Sequence, residues 1–487
     1  MQLSDRCSPL MLLLTLVLPS TAVAQKADSV AQRRHAVERS LTPAIVLEGQ
    51  AVPRWTMQER MVRYNVPGVS LAVIRNGSIE WSAAYGSTGG TSAQPVTSTT
   101  LFQAASLSKP VAALLALTLV QEGRLSLGEN VDHYLRTWRL PASSFTATHP
   151  ITLSGLLSHS AGVTVSGFAG YPQGAPRPTL VQILEGTGPA NSPRVLVDTI
   201  PGTRYRYSGG GYQIAQLVME DVTGTPIADL ARDLVLTPLD MEHSTFAELS
   251  PAQARTTAAG HSYNGAPVAG NWHRYPEQAA AGLWSTAGEM AKLVVGLIES
   301  AQGAEGAVLD RSLMAQMLTR QIGSAGLGLG VHGDGDDLLF DHAGVNEGYR
   351  AYMAGYPVTG NGVVVMTNGD GGTDLINEIV RSVSHVYGWS DFAPDTQAVA
   401  PVPRPGLARY AGTYRVAEEE LIITVRAEAD HLVVSTPRGS HYTFYPVSML
   451  RFVAIEDGST IEIVQRRDEP TELRLWGMRA RRTSQAW

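Results

Sequence analysis

The sequence predicts an α/β fold in which the two ends of the main domain share one sheet, a helical insertion lies between them, and a separate small β domain follows. Three observations carry this expectation. Apolar and polar residues alternate near 67–86 and again near 338–368, helical periodicity fills most of what lies between, and short alternating runs follow a Pro-rich stretch after residue 391. At 487 residues, with 44% hydrophobic and 17% charged side chains, the chain is long enough for more than one core.

The opening residues, "MQLSDRCSPLMLLLTLVLPSTAVAQK", hold a positive charge, an apolar core from Leu10 to Pro19 and a small-residue site at Ala22-Val23-Ala24. This is the pattern of a secretory signal peptide over 1–24, cut before Gln25. The apolar core is short for a membrane span, and no later segment has the ~20 consecutive apolar residues that a spanning helix needs. The mature chain is therefore expected to be exported, periplasmic or secreted, without a transmembrane anchor. The single cysteine, Cys7, lies in the leader. Disulfides, cysteine catalysis and thiolate metal sites are excluded from the mature chain, and an export signal without disulfides fits a bacterial periplasmic protein.

A polar, mobile lead-in is expected next. "PGVSLAVIRNGSIEWSAAYG" (67–86) alternates about Asn76-Gly77, a hairpin signal. Periodicity predicts a helix over 109–121, stopped at Gly123. The Gly/Pro-rich "SGFAGYPQGAPRPTL" (166–180) is long enough to be a structured surface loop near a site. Two helices are predicted about Gly224 within 212–240, and another over "STAGEMAKLVVGLIES" (285–300) with Ser285 or Thr286 as its cap. Strands at "LLFDHAGV", "AYMAGYPV" and "NGVVVMTN" complete a main domain taken as 25–392. A Pro/Ala-rich linker spans 393–405, and the alternating runs of 406–487 predict a barrel or a sandwich.

A net charge of -7 without a basic block argues against a nucleic-acid-binding face. The histidines contain no His-Glu-any-any-His pair and no close cluster, so neither metal nor cofactor is expected. "GLGVHG" (328–333) satisfies the Gly-any-Gly-any-any-Gly pattern, but acidic residues follow it instead of a helix that would hold a pyrophosphate. The acidic stretch at 334–337 lacks a calcium loop's glutamate and reads as a solvated turn. There is no Gly-any-Ser-any-Gly elbow.

Chemistry is suggested instead by "SLSK", which sets Ser106 and Lys109 three positions apart before an apolar run. If a helix begins near Ser106, the two share a face, and the serine has both an activating amine and a free backbone N–H. Pro110 is tolerated only in a first turn, which places the helix start close to Ser106. Tyr207-Ser208-Gly209 stands before a helix, and His342-Ala343-Gly344 stands in a strand-like setting.

With "VPGVSLAVI", "LFQAASLSKPV", "LLSHSAGV", "YSGGGY" and "GLWSTAGEMAKL", these motifs make the chain resemble, over roughly 45–390, the serine β-lactamase and penicillin-binding-protein superfamily. The resemblance is to the class C β-lactamase-like serine hydrolases, which include esterases and D-amino-acid peptidases. It implies an α+β fold: an antiparallel sheet flanked by helices, with an all-helical subdomain. It also implies a Ser106 nucleophile that forms an acyl-enzyme, with Lys109 hydrogen-bonded to it. Tyr207 would serve as general base and later general acid, its phenolate favoured by nearby positive charge, and His342 would add polarity beside it. Whether Lys109 or Tyr207 takes the serine proton stays open.

The backbone after Gly344, at Val345, would join the Ser106 N–H in holding an oxyanion. Gly209 stands where β-lactamases of this class have asparagine, and histidine replaces lysine at 342; both point towards esterase or peptidase relatives. The substrate implied is a small molecule or peptide, a cell-wall peptide among the candidates, with a β-lactamase and a non-catalytic penicillin sensor as alternatives. His159 reads as a structural histidine at a turn. Trp284, a candidate for substrate binding, belongs either to the core or to a pocket lining, as do the aromatics of "NWHRYPE" (271–277), Phe168 and Tyr171. The oligomeric state and the role of the C-terminal domain are left open.

Overall fold

The computed structural model describes residues 21–416, 421–437, 439–466 and 469–483. Most of the expected leader lies outside them. Where a mobile lead-in is expected, the chain forms α1 (Thr21–Glu38). Burial of Val37 and Leu41 and an Arg33–Glu80 ion pair of 2.6 Å hold this helix, so tertiary packing orders a segment of weak local signal.

β1 (Ile45–Leu47) and α2 (Met57–Arg63) lead to the hairpin β2 (Gly68–Arg75) and β3 (Ser78–Gly86). Its turn uses Asn76 and Gly77 at φ 52° and 74°, the left-handed pair that a two-residue hairpin demands. β4 (Phe102–Ala105) enters α3 (Ser108–Gln121), which is buried from Ser108 to Leu119. The insertion follows as α4 (Leu153–Leu157), α5 (Leu180–Glu185), α6 (Gly209–Thr223), α7 (Ile227–Ala231), α8 (Pro251–Ala254) and α9 (Gln278–Ala281). β5 (Leu283–Ser285) pairs with β4, and Thr286 caps α10 (Ala287–Gln302). α11 (Arg311–Met317) precedes β6 (Gly330–His332), β7 (Leu339–Asn346), β8 (Tyr349–Tyr356), β9 (Asn361–Thr367) and α12 (Gly372–Tyr387).

The main sheet has six strands in the order β3-β2-β9-β8-β7-β6, antiparallel at each step. The N-terminal hairpin thus completes a sheet made otherwise from the far end of the domain. Alternation along β2 divides the core: Val69, Leu71 and Val73 face a layer that includes α2 and α12 residues, while Ala72 and Ile74 face the layer of α3 and α10. A buried pair, Arg60 to Glu378 at 2.7 Å, ties α2 to α12, and Tyr64 donates to the same carboxylate at 2.7 Å. Among the described residues no helix is long and apolar enough to cross a membrane.

The 393–405 linker is not free chain. β10 (Asp395–Gln397) pairs in parallel with β1, and α13 (Arg404–Ala408) follows. Eight strands from β11 (Gly412–Val416) to β18 (Met478–Arg482) then form a closed antiparallel barrel. Closure by β11 and β18, with Tyr414 opposite Arg482, decides between barrel and sandwich. Tyr414, Phe444, Phe452 and Leu473 are fully buried and fill its interior. Ile45, Leu47 and Val453 pack together across the seam with the main domain.

Removing one member of a buried ion pair strands the other, a loss of about 3–5 kcal/mol. Glu378→Ala is expected to lower the unfolding free energy read from urea denaturation by that amount, with a lower midpoint, and Arg60→Met added to it to recover much of the loss. Equal midpoints for wild type and Glu378→Ala would show that the pair does not hold α2 to α12.

Candidate active site

Ser106 sits where β4 turns into α3. Ala105 has φ 52°, a left-handed conformation that is uncommon for a residue with a Cβ, and Ser106 follows it on the cleft wall. Ser108 Oγ fixes this turn, donating to Ala105 O at 2.6 Å and accepting from Leu283 N–H at 3.0 Å. The helix starts at Ser108, slightly later than Pro110 suggested. Lys109 N–H still reaches Ser106 O at 3.0 Å, so the two side chains stay together.

Lys109 Nζ lies 3.0 Å from Ser106 Oγ and donates to Ala280 O, at the end of α9, at 2.8 Å. The side chain is 2% exposed, and burial alone, with no carboxylate in compensation, pushes its pKa down to about 7. A large fraction of the amine is therefore uncharged at neutral pH, with a lone pair available to Oγ.

Tyr207 immediately precedes the cap of α6, where Ser208 Oγ accepts from Gly211 N–H at 2.8 Å. Its ring centroid lies 4.9 Å from Lys109 Nζ, and the ring stacks on His159 at 4.3 Å. Burial raises its pKa to about 12, against an opposing hydrogen bond with Ser106. This departs from the expectation of a favoured phenolate: the buried amine gives up its own charge near neutrality, long before the phenol ionises. Burial therefore acts on the two groups in opposite directions, lowering the amine and raising the phenol.

His342, on β7, lies 6.3 Å from Tyr207 between ring centroids. Its Nδ1–H donates to Ala343 O at 2.7 Å, and cleft burial followed by the Lys109 charge pushes its pKa down to about 3, so the imidazole is neutral. His159, at φ 59°, accepts the Ser208 N–H on Nδ1 at 3.0 Å. It stands at a turn, forms the surface against which Tyr207 rests and also lines the cleft.

Gly344 lets β7 pass flush over β4, because a Cβ there would lie 2.4 Å from Ala104 O. The Val345 backbone is thereby brought to the same cleft as Ser106. Gly209 also lines the cleft, and the place of its missing side chain is taken: a Cβ would fall 2.8 Å from Phe168 Cε2.

Trp284 is a correction. It does not line the Ser106 cleft of about 690 Å³; it stacks edge-on against Trp272 at 5.3 Å and faces a second cavity of about 700 Å³. In the β4–β5 ladder Leu283 lies opposite Ala105 and Trp284 opposite Gln103, which sets the indole away from the nucleophile. Tyr171 is buried and its backbone bridges Arg274, so the 166–180 loop is structured, as its length suggested.

Two parts of the wall escaped sequence reasoning. Asn346 Nδ2 donates to Gln103 Oε1 at 2.8 Å and Ala281 O at 3.2 Å, a pairing visible only once β7 and β4 meet. Gly328, Leu329, Gly330 and His332, from the dismissed glycine-rich stretch, also line the cleft.

A family model described as Beta-lactamase matches residues 54–382. The chain is 26% identical over 375 residues to Penicillin-binding protein 4 of Amycolatopsis lactamdurans, an alignment covering 72% of this chain and 93% of that protein. It has the fold of the octameric penicillin-binding protein homologue from Pyrococcus abyssi, with TM-score 0.61, 21% identity, and coverage of 87% of this chain and 98% of that one. It is also similar in fold to D-amino acid amidase from Ochrobactrum anthropi SV3, with TM-score 0.57, 21% identity, and coverage of 73% and 99%.

Folded Lys109 loses its proton near pH 7, whereas an unfolded lysine keeps it to about 10.5, so the folded state binds fewer protons between those values and stability rises with pH across the window. Lys109→Met, uncharged and of similar shape, is expected to show a higher Tm than wild type at pH 7 and below. That advantage should shrink as pH approaches 10.5. A difference in Tm independent of pH would contradict the desolvated amine.

Proposed function

We propose a specific chemistry for this chain, which belongs to the beta-lactamase family and is a serine hydrolase: Ser106 is acylated by an ester or amide that has no carboxylate beside the scissile bond, amides of D-amino acids included, and water releases the acyl group. The contact that carries this reading is the 3.0 Å approach of a desolvated Lys109 amine to Ser106 Oγ. Lys109 takes the hydroxyl proton as Oγ attacks the carbonyl carbon. The N–H groups of Ser106 and Val345 receive the developing oxyanion. Tyr207 protonates the departing alkoxide or amine and is reprotonated from the Lys109 ammonium. In the second half water replaces the leaving group, giving up its proton to the same pair, and the acid departs with Ser106 restored.

Charge narrows the substrate. Among the described residues no arginine lines the cleft, the Lys109 amine is engaged by Ser106 and Ala280, and His342 is neutral. A carboxylate beside the scissile bond, as in a D-alanyl-D-alanine peptide or a penicillin, meets no cation there and would leave water uncompensated. This favours esters and amides without that carboxylate over carboxypeptidase or β-lactamase chemistry. Activity in the periplasm or outside the cell fits the leader-like N-terminus.

A fluorophosphonate probe is expected to modify Ser106, and nitrophenyl acetate to be hydrolysed with kcat/KM rising along a limb centred near pH 7 as Lys109 loses its proton. Ser106→Ala should abolish both, and Tyr207→Phe should slow turnover by roughly 10²–10⁴-fold. A D-alanine amide should be a better substrate than a D-alanyl-D-alanine peptide with a free carboxylate. A folded wild-type protein that takes no label at Ser106 would sink the proposal.

A further inference from the structure

The start of α6 and the segment Thr164–Phe168 are built against each other. Ser208 Oγ donates to Thr164 O at 2.8 Å, Gly210 N–H to Val165 O at 3.0 Å and Gly209 N–H to Ser166 O at 3.2 Å. A Cβ at Gly210 would fall 2.7 Å from Thr164 O, so the glycines are what let the segment lie flush on the helix end. Val165 is held at φ 63°, a left-handed conformation that β-branched residues rarely adopt. Backbone in such a conformation persists only where surrounding structure fixes it.

The outcome of this strapping is the position of Phe168. Its ring is half-buried, packed against the main core and open to the Ser106 cleft. A Cβ at Gly209 would lie 2.8 Å from its Cε2 and 3.4 Å from its Cδ2, so ring and side chain cannot share the space. Tyr205 and Leu329 extend the apolar wall.

We infer that Phe168 sets acyl-group specificity, its ring presenting a flat apolar face to the cleft where Gly209 carries no side chain. The preferred substrates are then esters or amides of acids whose acyl group carries an aromatic or branched aliphatic substituent. This inference rests on the acyl-enzyme reading above and names the substrate class of that site. Gly209 and Phe168 act as one unit, the first by giving up its side chain and the second by filling the vacated volume.

The test compares rates of Ser106 modification by two phosphonofluoridates that differ only in the group on phosphorus, benzyl or methyl. Wild type is expected to react faster with the benzyl reagent. Phe168→Ala should lower the benzyl-to-methyl ratio by roughly 10- to 200-fold, the range for hydrophobic pocket contacts. Phe168→Leu, which keeps bulk and guards against collapse of the loop, should give an intermediate ratio. A ratio unchanged in both variants, with Ser106 still modified, overturns the inference alone; no modification of wild type overturns the acyl-enzyme reading and the inference with it.

Discussion

An amine held out of water without a carboxylate beside it is the constraint around which this site is arranged. Taking a lysine charge into a dry interior is unfavourable, and Lys109 answers by a pKa lowered to about 7. Its neighbours suit a group that alternates between neutral and charged: a serine hydroxyl, a backbone carbonyl of α9, and the faces of Tyr207 and Tyr212. A carboxylate in their place would keep the ammonium charged and useless as a base. The same burial raises the Tyr207 pKa and, together with the Lys109 charge, lowers that of His342.

The fold exists, for this purpose, to converge distant segments on that amine. β4 and α3 bring Ser106 and Lys109, the helical insertion brings Tyr207 and Ala280, and β7 brings His342 and the Val345 backbone. Convergence depends on close approach. Gly344 over Ala104 and Gly210 against Thr164 are places where a single methyl group would force the walls apart. The barrel packs away from the cleft: Ile45, Leu47 and Val453 join it to the main domain, and none of them lines the cleft.

Much of this was legible in the sequence where local chemistry repeats a known pattern. The Asn76-Gly77 turn, the helix that Gly123 stops and the shared sheet are products of period and turn residues, which a single sequence displays. Ser106, Lys109, Tyr207 and His342 lie together because spacing and resemblance both mark them. What was not legible depended on contacts made after folding. α1 has little periodicity and is ordered by packing on the sheet and α12; β11 and β18, short and arginine-bearing, show their role only as the pair that closes the barrel. Trp284, a candidate for substrate binding, lines the second cavity and not the Ser106 cleft, because aromaticity does not reveal which side of a wall a ring occupies. The phenolate expectation failed for a related reason, since burial is a tertiary quantity.

The claim on which the account stands is that Lys109 is a free base near neutral pH, and the composition makes it directly measurable. The lysines are Lys26, Lys109 and Lys292, so ¹³C labelling of lysine gives a sparse spectrum in which the Lys109 Cε resonance is assigned by its loss in Lys109→Met. A titration of that resonance with a midpoint near pH 7 is the expected result. A midpoint above pH 10 would contradict the account, leaving Ser106 beside a permanently charged ammonium that cannot accept its proton.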